Sequence, residues 1–268
     1  MATLKVAGGE LAWSLIDLTP PWLAVPETIV MHHGVGASQH IFDGWLPALI
    51  GNYRILRFDM RGHGNSPRPE AGVKLDMERL TDDLFAVMDA AGVERAHLMG
   101  ESIGGTIVLD AALRAPERVA TLAISNGAHL GASIRSVTDW QQIIETRGMA
   151  GWSAHMMQGR FHPGAIPDDL WRWFETQQAT ACGDTVLRLL EALVGANLVD
   201  KLPGLRPPLL LMHPDGSPFI PVPVMDEFRA LAPNARLHVI GHAKHGLPFS
   251  HAPICAGLLR GFLEEHPG

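Results

Sequence analysis

A serine between two glycines, directly after an apolar stretch, is the strongest candidate for chemistry in this sequence. Ser102 stands in a Gly-x-Ser-x-Gly pentapeptide, which follows the strand-like run 96–99 and opens an apolar helical pattern over 103–113. On a tight strand-to-helix turn the glycines let both arms approach, and the hydroxyl is exposed beside the free N–H groups of the helix start. The pattern predicts a nucleophilic serine; the alternative is a glycine-rich turn with a capping serine.

A serine hydroxyl becomes an effective nucleophile only when a base accepts its proton and a further group orients that base. The sequence contains 14 histidines, so residue type alone selects none of them. His245 is the favoured base, because it lies in a Gly- and Ala-containing loop, 241–246, after the last predicted strand. His242 and His251 are the alternative candidates for the base.

The elements that would position these residues alternate along the chain. Short apolar strands without polar alternation are interleaved with helical patterns, of which 75–91 is the clearest. This order predicts an α/β fold with a doubly wound, mostly parallel eight-stranded sheet, covered on both faces and with its functional loops at the carboxyl ends of the strands. The predicted strands are 3–6, 11–18, 28–32, 53–58, 96–99, 119–124, 207–212 and 236–240.

Strand signals disappear between residues 127 and 203, where four helical patterns follow one another. We predict that 127–203 forms a helical cap inserted over the carboxyl edge of the sheet, and that 1–126 and 204–268 form the core. The cap contains four of the seven tryptophans. Trp140 and Trp152 are candidates for the lining of a substrate pocket, and core packing is the alternative for each.

The composition restricts the class of partner. The net charge of −7, without runs of Lys or Arg, argues against a nucleic acid or an anionic membrane and favours a small-molecule substrate. No apolar run reaches the roughly 18 residues of a membrane span, so we expect a cytoplasmic protein. The neighbouring His32 and His33 predict no metal site, since adjacent strand residues face opposite ways. We expect no metal and no cofactor.

Four loops taken together resemble the α/β-hydrolase superfamily with a helical cap. They are His33-Gly34, the octapeptide Asp-Met-Arg-Gly-His-Gly-Asn-Ser at 59–66, the Gly-x-Ser-x-Gly turn, and His245 before the final helix. The spacing within 57–64 and 243–245 most resembles that of 3-oxoadipate enol-lactonases and their carboxylesterase-like relatives. The resemblance implies that His245 lies over Ser102 and that the N–H groups of Val35 and Ile103 form an oxyanion hole.

The orienting acid is the point at which the sequence departs from the family pattern. Relatives carry His-Gly-x-x-Asp after the seventh strand, whereas residues 213–217 read His-Pro-Asp-Gly-Ser and place Ser217 where the aspartate is usual. We predict that Asp215, in a flexible Pro-Asp-Gly turn, orients His245 instead. The alternative is an aspartate that only stabilises its own turn.

These residues predict acyl transfer. Ser102, deprotonated by His245, would attack an ester or lactone carbonyl, and water would hydrolyse the acyl-enzyme. Arg147 and Arg160 are candidates for binding a substrate carboxylate, and solvated surface arginines are the alternative. Two other functions stay open: hydrolysis of a carbon–carbon bond in a ring-cleavage product, and a binding or receptor protein on a hydrolase scaffold. The oligomeric state is left open.

Overall fold

One eight-stranded sheet organises the chain, which the computed structural model describes from Met1 to Gly268. The strands are β1 Ala2–Val6, β2 Gly9–Ile16, β3 Thr28–His32, β4 Arg54–Phe58, β5 Ala96–Glu101, β6 Val119–Ser125, β7 Leu209–Pro214 and β8 Ala235–Ile240. They lie in the order β1-β2-β4-β3-β5-β6-β7-β8. The β1–β2 and β2–β4 pairs are antiparallel and all other pairs are parallel. The predicted mostly parallel, eight-stranded sheet is confirmed.

Side chains of the central strands alternate between two hydrophobic cores. On β3, Val30 packs into one core, and its neighbours Ile29 and Met31 pack into the other. On β5, Leu98 and Met99 divide in the same way. Because successive strand residues face opposite sides, each core covers one face of the sheet. Both faces are therefore buried, which explains why the strands are continuous apolar runs in the sequence.

Nine α-helices follow β3 in the chain, between the later strands and after the last one. They are α1 Leu46–Leu49, α2 Met77–Ala90, α3 Ile103–Arg114, α4 Trp140–Arg160, α5 Asp168–Ala179, α6 Gly183–Val194, α7 Val222–Leu231, α8 Leu247–Ser250 and α9 Ala252–Glu265. Short 3₁₀ segments cover Gln39–Trp45, Pro116–Arg118, Gly131–Ser133 and Val199–Gly204. The sequence predicts one helix over 38–50, but a 3₁₀ segment and α1 replace it, because Pro47 has no N–H to continue an α-helical ladder. None of the helices combines the length and the apolar character needed to cross a membrane.

The stretch between β6 and β7 adds no strand to the sheet and contains α4, α5 and α6. A break at Gly148 divides α4, since this residue has φ 64° and ψ −174°, which glycine adopts at little cost. Both α5 and α6 pack against α4. The helices coincide with the helical patterns of residues 127–203, and the division into a core and a cap remains a prediction.

The parallel register brings the carboxyl ends of four strands to one edge of the sheet. His32 on β3 lies beside Gly100 on β5, and Gly100 lies beside Ile124 on β6. Ser125 at the end of β6 is the partner of Met212 on β7. The loops after these strands therefore begin side by side, at the edge where the sequence places its candidate residues.

Candidate active site

Ser102 occupies the sharp turn between β5 and α3. Its φ of 56° and ψ of −123° are rare for a residue with a side chain and cost on the order of 1–3 kcal/mol. A Cβ on Gly100 would lie 2.3 Å from the carbonyl oxygen of Gly104, and a Cβ on Gly104 would lie 2.4 Å from that of His32. Both glycines are thus required by close backbone approach, as predicted, and they hold the strand end against the helix start.

His245 is the histidine that reaches Ser102. Its Nε2 lies 3.1 Å from Oγ of Ser102, although the two residues are 143 positions apart. The backbone N–H of His245 donates to the carbonyl oxygen of Gly159 at 3.3 Å, so the end of α4 holds the histidine loop in place. Of the rival histidines, His242 is exposed and His251 pairs through Nδ1 with the hydroxyl of its neighbour Ser250.

The imidazole of His245 is buried. Burial, reinforced by the positive charge of Arg160 and the proximity of His213, holds its pKa well below the ordinary value. Phe219 packs edge-on against the ring, with the ring centroids 4.7 Å apart. His245 is therefore neutral at pH 7, which is the state that accepts a proton from a serine hydroxyl.

Ser217, and not Asp215, is the side chain next to the second ring nitrogen of His245. Oγ of Ser217 lies 3.4 Å from Nδ1. The carboxylate of Asp215 instead accepts hydrogen bonds of 3.1 Å from the backbone N–H groups of His242 and Ala243. No hydrogen bond or ion pair joins Asp215 to His245, so the expected contact has to be corrected. The physical reason is local: the nearby N–H groups satisfy the carboxylate at the exposed edge of the loop.

The two N–H groups expected to form an oxyanion hole have no acceptor within the protein. Ile103 is the first residue of α3, where an N–H has no intrahelical partner. The N–H of Val35, in the turn after β3, makes no hydrogen bond either. Both groups are therefore available to an incoming oxygen, and their catalytic role remains a proposal.

A small, mainly apolar pocket of about 30 Å³ adjoins Ser102 and His245. Its polar lining consists of Ser102, Asn126, Arg160 and His245, and its apolar lining consists of Val35, Ala128, Ile134, Val137, Trp140, Met156, Leu190, Leu193, Phe219 and Ile220. This combination of apolar walls and a few convergent polar groups is typical of a small-molecule site.

The four candidate pocket residues of the predicted cap separate into two groups. Trp140 and Arg160 line the pocket. Trp152 is fully buried behind it and packs edge-on against Trp140, with 5.2 Å between the ring centroids. Arg147 is exposed on α4 and does not line the pocket. The structure thus brings Trp140 and Arg160 to the site and leaves Arg147 and Trp152 outside the pocket lining.

Comparison with known proteins decides the family. Residues 27–182, more than half of the chain, match the family model for the alpha/beta hydrolase fold. The chain belongs to the α/β-hydrolase fold family. This finding, with the fold, supports a hydrolase of the α/β type.

The chain is similar over most of its length to individual hydrolases of known name. It is 29% identical over 265 residues to a pimeloyl-[acyl-carrier protein] methyl ester esterase of Neisseria meningitidis, covering 88% of this chain and 76% of that protein. It is 27% identical over 253 residues to a 2-hydroxymuconate semialdehyde hydrolase of Pseudomonas sp. strain CF600, covering 88% and 87%. Among solved structures, the enol-lactonase of Burkholderia xenovorans LB400 superposes with a TM-score of 0.88 at 23% identity, covering 98% of this chain and all of that one.

Glu101 is a residue of the hydrolase site that sequence reasoning missed. It ends β5 directly before Ser102, and its buried carboxylate receives no side-chain hydrogen bond. Oε1 lies 3.7 Å from Nε2 of His245 and 3.9 Å from Nη1 of Arg160. Burial raises the pKa of Glu101 to about 7, against the lowering effects of Arg160 and of the backbone N–H of Gly34. The signal in the sequence is a charged residue at the end of an otherwise apolar buried strand.

Asn126 is the second missed residue. It follows β6 with a positive φ of 57°, which is uncommon for a residue other than glycine. Its Nδ2 donates to the carbonyl oxygen of His245 and to Oγ of Ser125, each at 3.1 Å. Since the carbonyl can only accept, the amide orientation is fixed. Asn126 thus holds the histidine loop against the end of β6.

Proposed function

We propose that this chain is a serine hydrolase that cleaves an ester or lactone of a small substrate through an acyl-enzyme. The observation that carries the proposal is the 3.1 Å contact between Oγ of Ser102 and Nε2 of His245 beside an apolar pocket. The positive φ of Ser102 adds support, because strained backbone tends to be retained where function requires it.

In the proposed mechanism Ser102 Oγ forms a bond to the substrate carbonyl carbon while its proton passes to Nε2 of His245. The N–H groups of Val35 and Ile103 bind the resulting oxyanion. His245 then returns the proton to the alkoxide, which leaves as an alcohol from an ester and stays attached to the acyl group as a hydroxyl when the substrate is a lactone. Water, losing a proton to His245, attacks the acyl-enzyme, and the acid product departs as the proton returns to Ser102.

The pocket favours a substrate with a small apolar body. Trp140, Leu190 and Leu193 present apolar surface to it, and Arg160 is its charged lining residue. Two groups of Arg160 are already engaged, with Nε donating to Gln178 and Nη2 to the carbonyl oxygen of Val35. Nη1 makes no hydrogen bond in the protein and is the donor available to a substrate carboxylate or carbonyl oxygen.

Carbon–carbon bond hydrolysis is the second candidate. The similarity to a 2-hydroxymuconate semialdehyde hydrolase over 88% of this chain favours it. A panel of p-nitrophenyl esters, enol-lactones and vinylogous diketones, assayed with the same purified protein, separates the two reactions. Cleavage of diketones in preference to every ester and lactone would replace the proposed activity.

The nucleophile assignment is tested by Ser102→Ala. We expect hydrolysis of p-nitrophenyl butyrate to fall by about 10³-fold or more, since loss of the serine hydroxyl removes nucleophilic catalysis. The matched control is Ser14→Ala on β2, whose hydroxyl donates to Gln39 outside the pocket. Equal turnover by folded Ser102→Ala and the wild type would exclude Ser102 as the nucleophile. If neither the wild type nor the Ser14→Ala control hydrolyses any substrate, the result would argue for the binding-protein alternative.

A further inference from the structure

His245 has only a neutral partner at Nδ1. Ser217 Oγ lies 3.4 Å from this nitrogen and also accepts a hydrogen bond from the N–H of Ile220 at 3.3 Å. A hydroxyl oxygen can accept Nδ1–H and so favour the tautomer that leaves Nε2 free for the serine proton. It carries no charge, however, and the usual acid also stabilises the imidazolium that forms when the serine is deprotonated.

A carboxylate lies on the opposite side of the same ring. Oε1 of Glu101 is 3.7 Å from Nε2, the nitrogen that faces Oγ of Ser102 at 3.1 Å. Because Glu101 is the residue before Ser102, the geometry of the β5–α3 turn fixes its position relative to the nucleophile. Its side chain is 2% exposed, so water screens the interaction with His245 very little.

Three elements of the fold surround the carboxylate of Glu101. Arg160, at the end of α4, places Nη1 3.9 Å from Oε1. His245 approaches from the loop after β8, and the loop after β3 contributes the backbone of Gly34, on which a Cβ would lie 2.1 Å from Oε2. Arg160 lowers the affinity of His245 for a proton, since a like charge disfavours the imidazolium. The carboxylate of Glu101 has the opposite charge to Arg160 and to the imidazolium, so a charge at this position would act in the opposite direction.

We propose that Glu101 supplies from the Nε2 side the negative charge that stabilises the imidazolium of His245, in place of the carboxylate missing at Ser217. The proposal rests on the proposed function and deepens it. Glu101 forms no bond to substrate and acts through His245 as a positioning residue. The alternative role of Glu101 is purely structural, as the counter-ion of the buried Arg160.

Two substitutions distinguish these roles. Glu101→Gln removes the charge and keeps the shape, and Ser217→Asp introduces a carboxylate beside Nδ1. A counter-ion for Arg160 is not restored by a charge on the far side of His245. If Glu101 acts on the imidazolium, Ser217→Asp rescues Glu101→Gln and the two effects are not additive.

The measurement needs no knowledge of the natural substrate. A fluorophosphonate reacts with an activated serine as a bond forms between Oγ of Ser102 and phosphorus, fluoride leaves, and the serine proton passes to His245. The second-order labelling rate, followed by intact-protein mass spectrometry, reports activation of Ser102. An opposite charge at this distance changes a pKa by about 1–3, which is a factor of about 10 to 1,000 in the stability of the imidazolium. We therefore expect Glu101→Gln to slow labelling by about tenfold or more, and the double variant to recover most of that loss.

The control is Asp83→Asn, which breaks the buried ion pair between Arg61 and Asp83 at 2.6 Å away from the pocket. It should lower the thermal unfolding temperature without slowing the labelling of folded protein. If Glu101→Gln does not fold, Glu101→Asp replaces it. The shorter side chain keeps a negative charge near Arg160 and withdraws it from His245. We expect Glu101→Asp to be labelled more slowly than the wild type, and Ser217→Asp to restore the rate. Wild-type labelling in the folded Glu101 variant, or no rescue by Ser217→Asp, would overturn the proposal.

A second readout separates this proposal from the proposed function. The pKa of His245, measured by NMR on protein with ¹³C-labelled histidine rings, should fall further in Glu101→Gln and rise again in the double variant. If the folded wild type is not labelled at all, the proposed hydrolase function fails. The pKa of His245 then still decides the role of Glu101, because an unchanged value in Glu101→Gln excludes an interaction between the two residues.

Discussion

Nη2 of Arg160 donates a 2.6 Å hydrogen bond to the carbonyl oxygen of Val35. Arg160 is the last residue of α4. Val35 lies in the loop after β3, and its own N–H is proposed to bind the oxyanion. The same guanidinium donates through Nε to Oε1 of Gln178 on α5 at 2.6 Å. The helical segment between β6 and β7 therefore fixes the position of this loop as well as lining the pocket.

Arg160→Lys should weaken this connection while keeping a positive charge. A lysine cannot bind Gln178 and Val35 at once through a planar fork. Because a hydrogen bond to a charged group contributes about 1.5–3 kcal/mol, we expect kcat/KM for p-nitrophenyl butyrate to fall by about tenfold or more. Steady-state kinetics measures the effect, and Arg172→Lys on the exposed side of α5 is the control. An unchanged kcat/KM in Arg160→Lys would show that the connection does not affect catalysis.

Of the two variants Asp215→Asn and Ser217→Ala, only the second should reduce catalysis. Asp215 binds only the backbone of His242 and Ala243, so its substitution should leave kcat close to that of the wild type. Ser217→Ala removes the acceptor beside Nδ1 of His245, and kcat should fall by about tenfold through loss of tautomer control. The comparison is made by steady-state kinetics on p-nitrophenyl butyrate. A large loss in Asp215→Asn alone would restore Asp215 as the orienting acid.

Two glycines in helices should respond to alanine with opposite signs. In Gly104→Ala the new Cβ would lie 2.4 Å from the carbonyl oxygen of His32, and we expect a loss of about 1–3 kcal/mol of unfolding free energy together with lower activity. In Gly257→Ala, on α9, the Cβ meets no atom within 4 Å, and a gain of roughly 0.5–1 kcal/mol follows from helix propensity. Urea unfolding measures both. Equal changes in the free energy of unfolding of the two variants would mean that the β5–α3 turn accommodates the Cβ of Gly104→Ala without strain.

The pH dependence of kcat/KM should show two ionisations. The first belongs to His245, whose pKa lies well below its ordinary value, so the neutral base persists to mildly acidic pH. The second belongs to Glu101, with a pKa of about 7: its carboxylate is charged only above this pH, and kcat/KM should rise as pH increases through 7. In Glu101→Gln the rise near pH 7 should disappear, whereas the loss at low pH persists. A profile identical to that of the wild type would contradict the interaction.

Much of the fold follows from local sequence. The apolar run 96–99, the glycines around Ser102 and the helical pattern after it predict a strand, a sharp turn and a helix, and the structure has β5, the turn and α3 at these positions. Helical periods likewise predict α4, α5 and α6 within a few residues. The helix expected over 38–50 was the exception, because the effect of Pro47 on the hydrogen-bond ladder outweighed the apolar pattern.

The sequence by itself determined the elements and the nucleophile turn, since strand, turn and helix depend on residues close together in the chain. Only the tertiary structure decided which groups surround His245. Asp215 and Ser217 are two residues apart, yet the backbone of 242–243 takes the carboxylate of the first and leaves the hydroxyl of the second beside the ring. Glu101 became significant only because the fold buries it beside Arg160 and His245. Side-chain direction in loops and burial of charge depend on long-range packing, which no local pattern encodes.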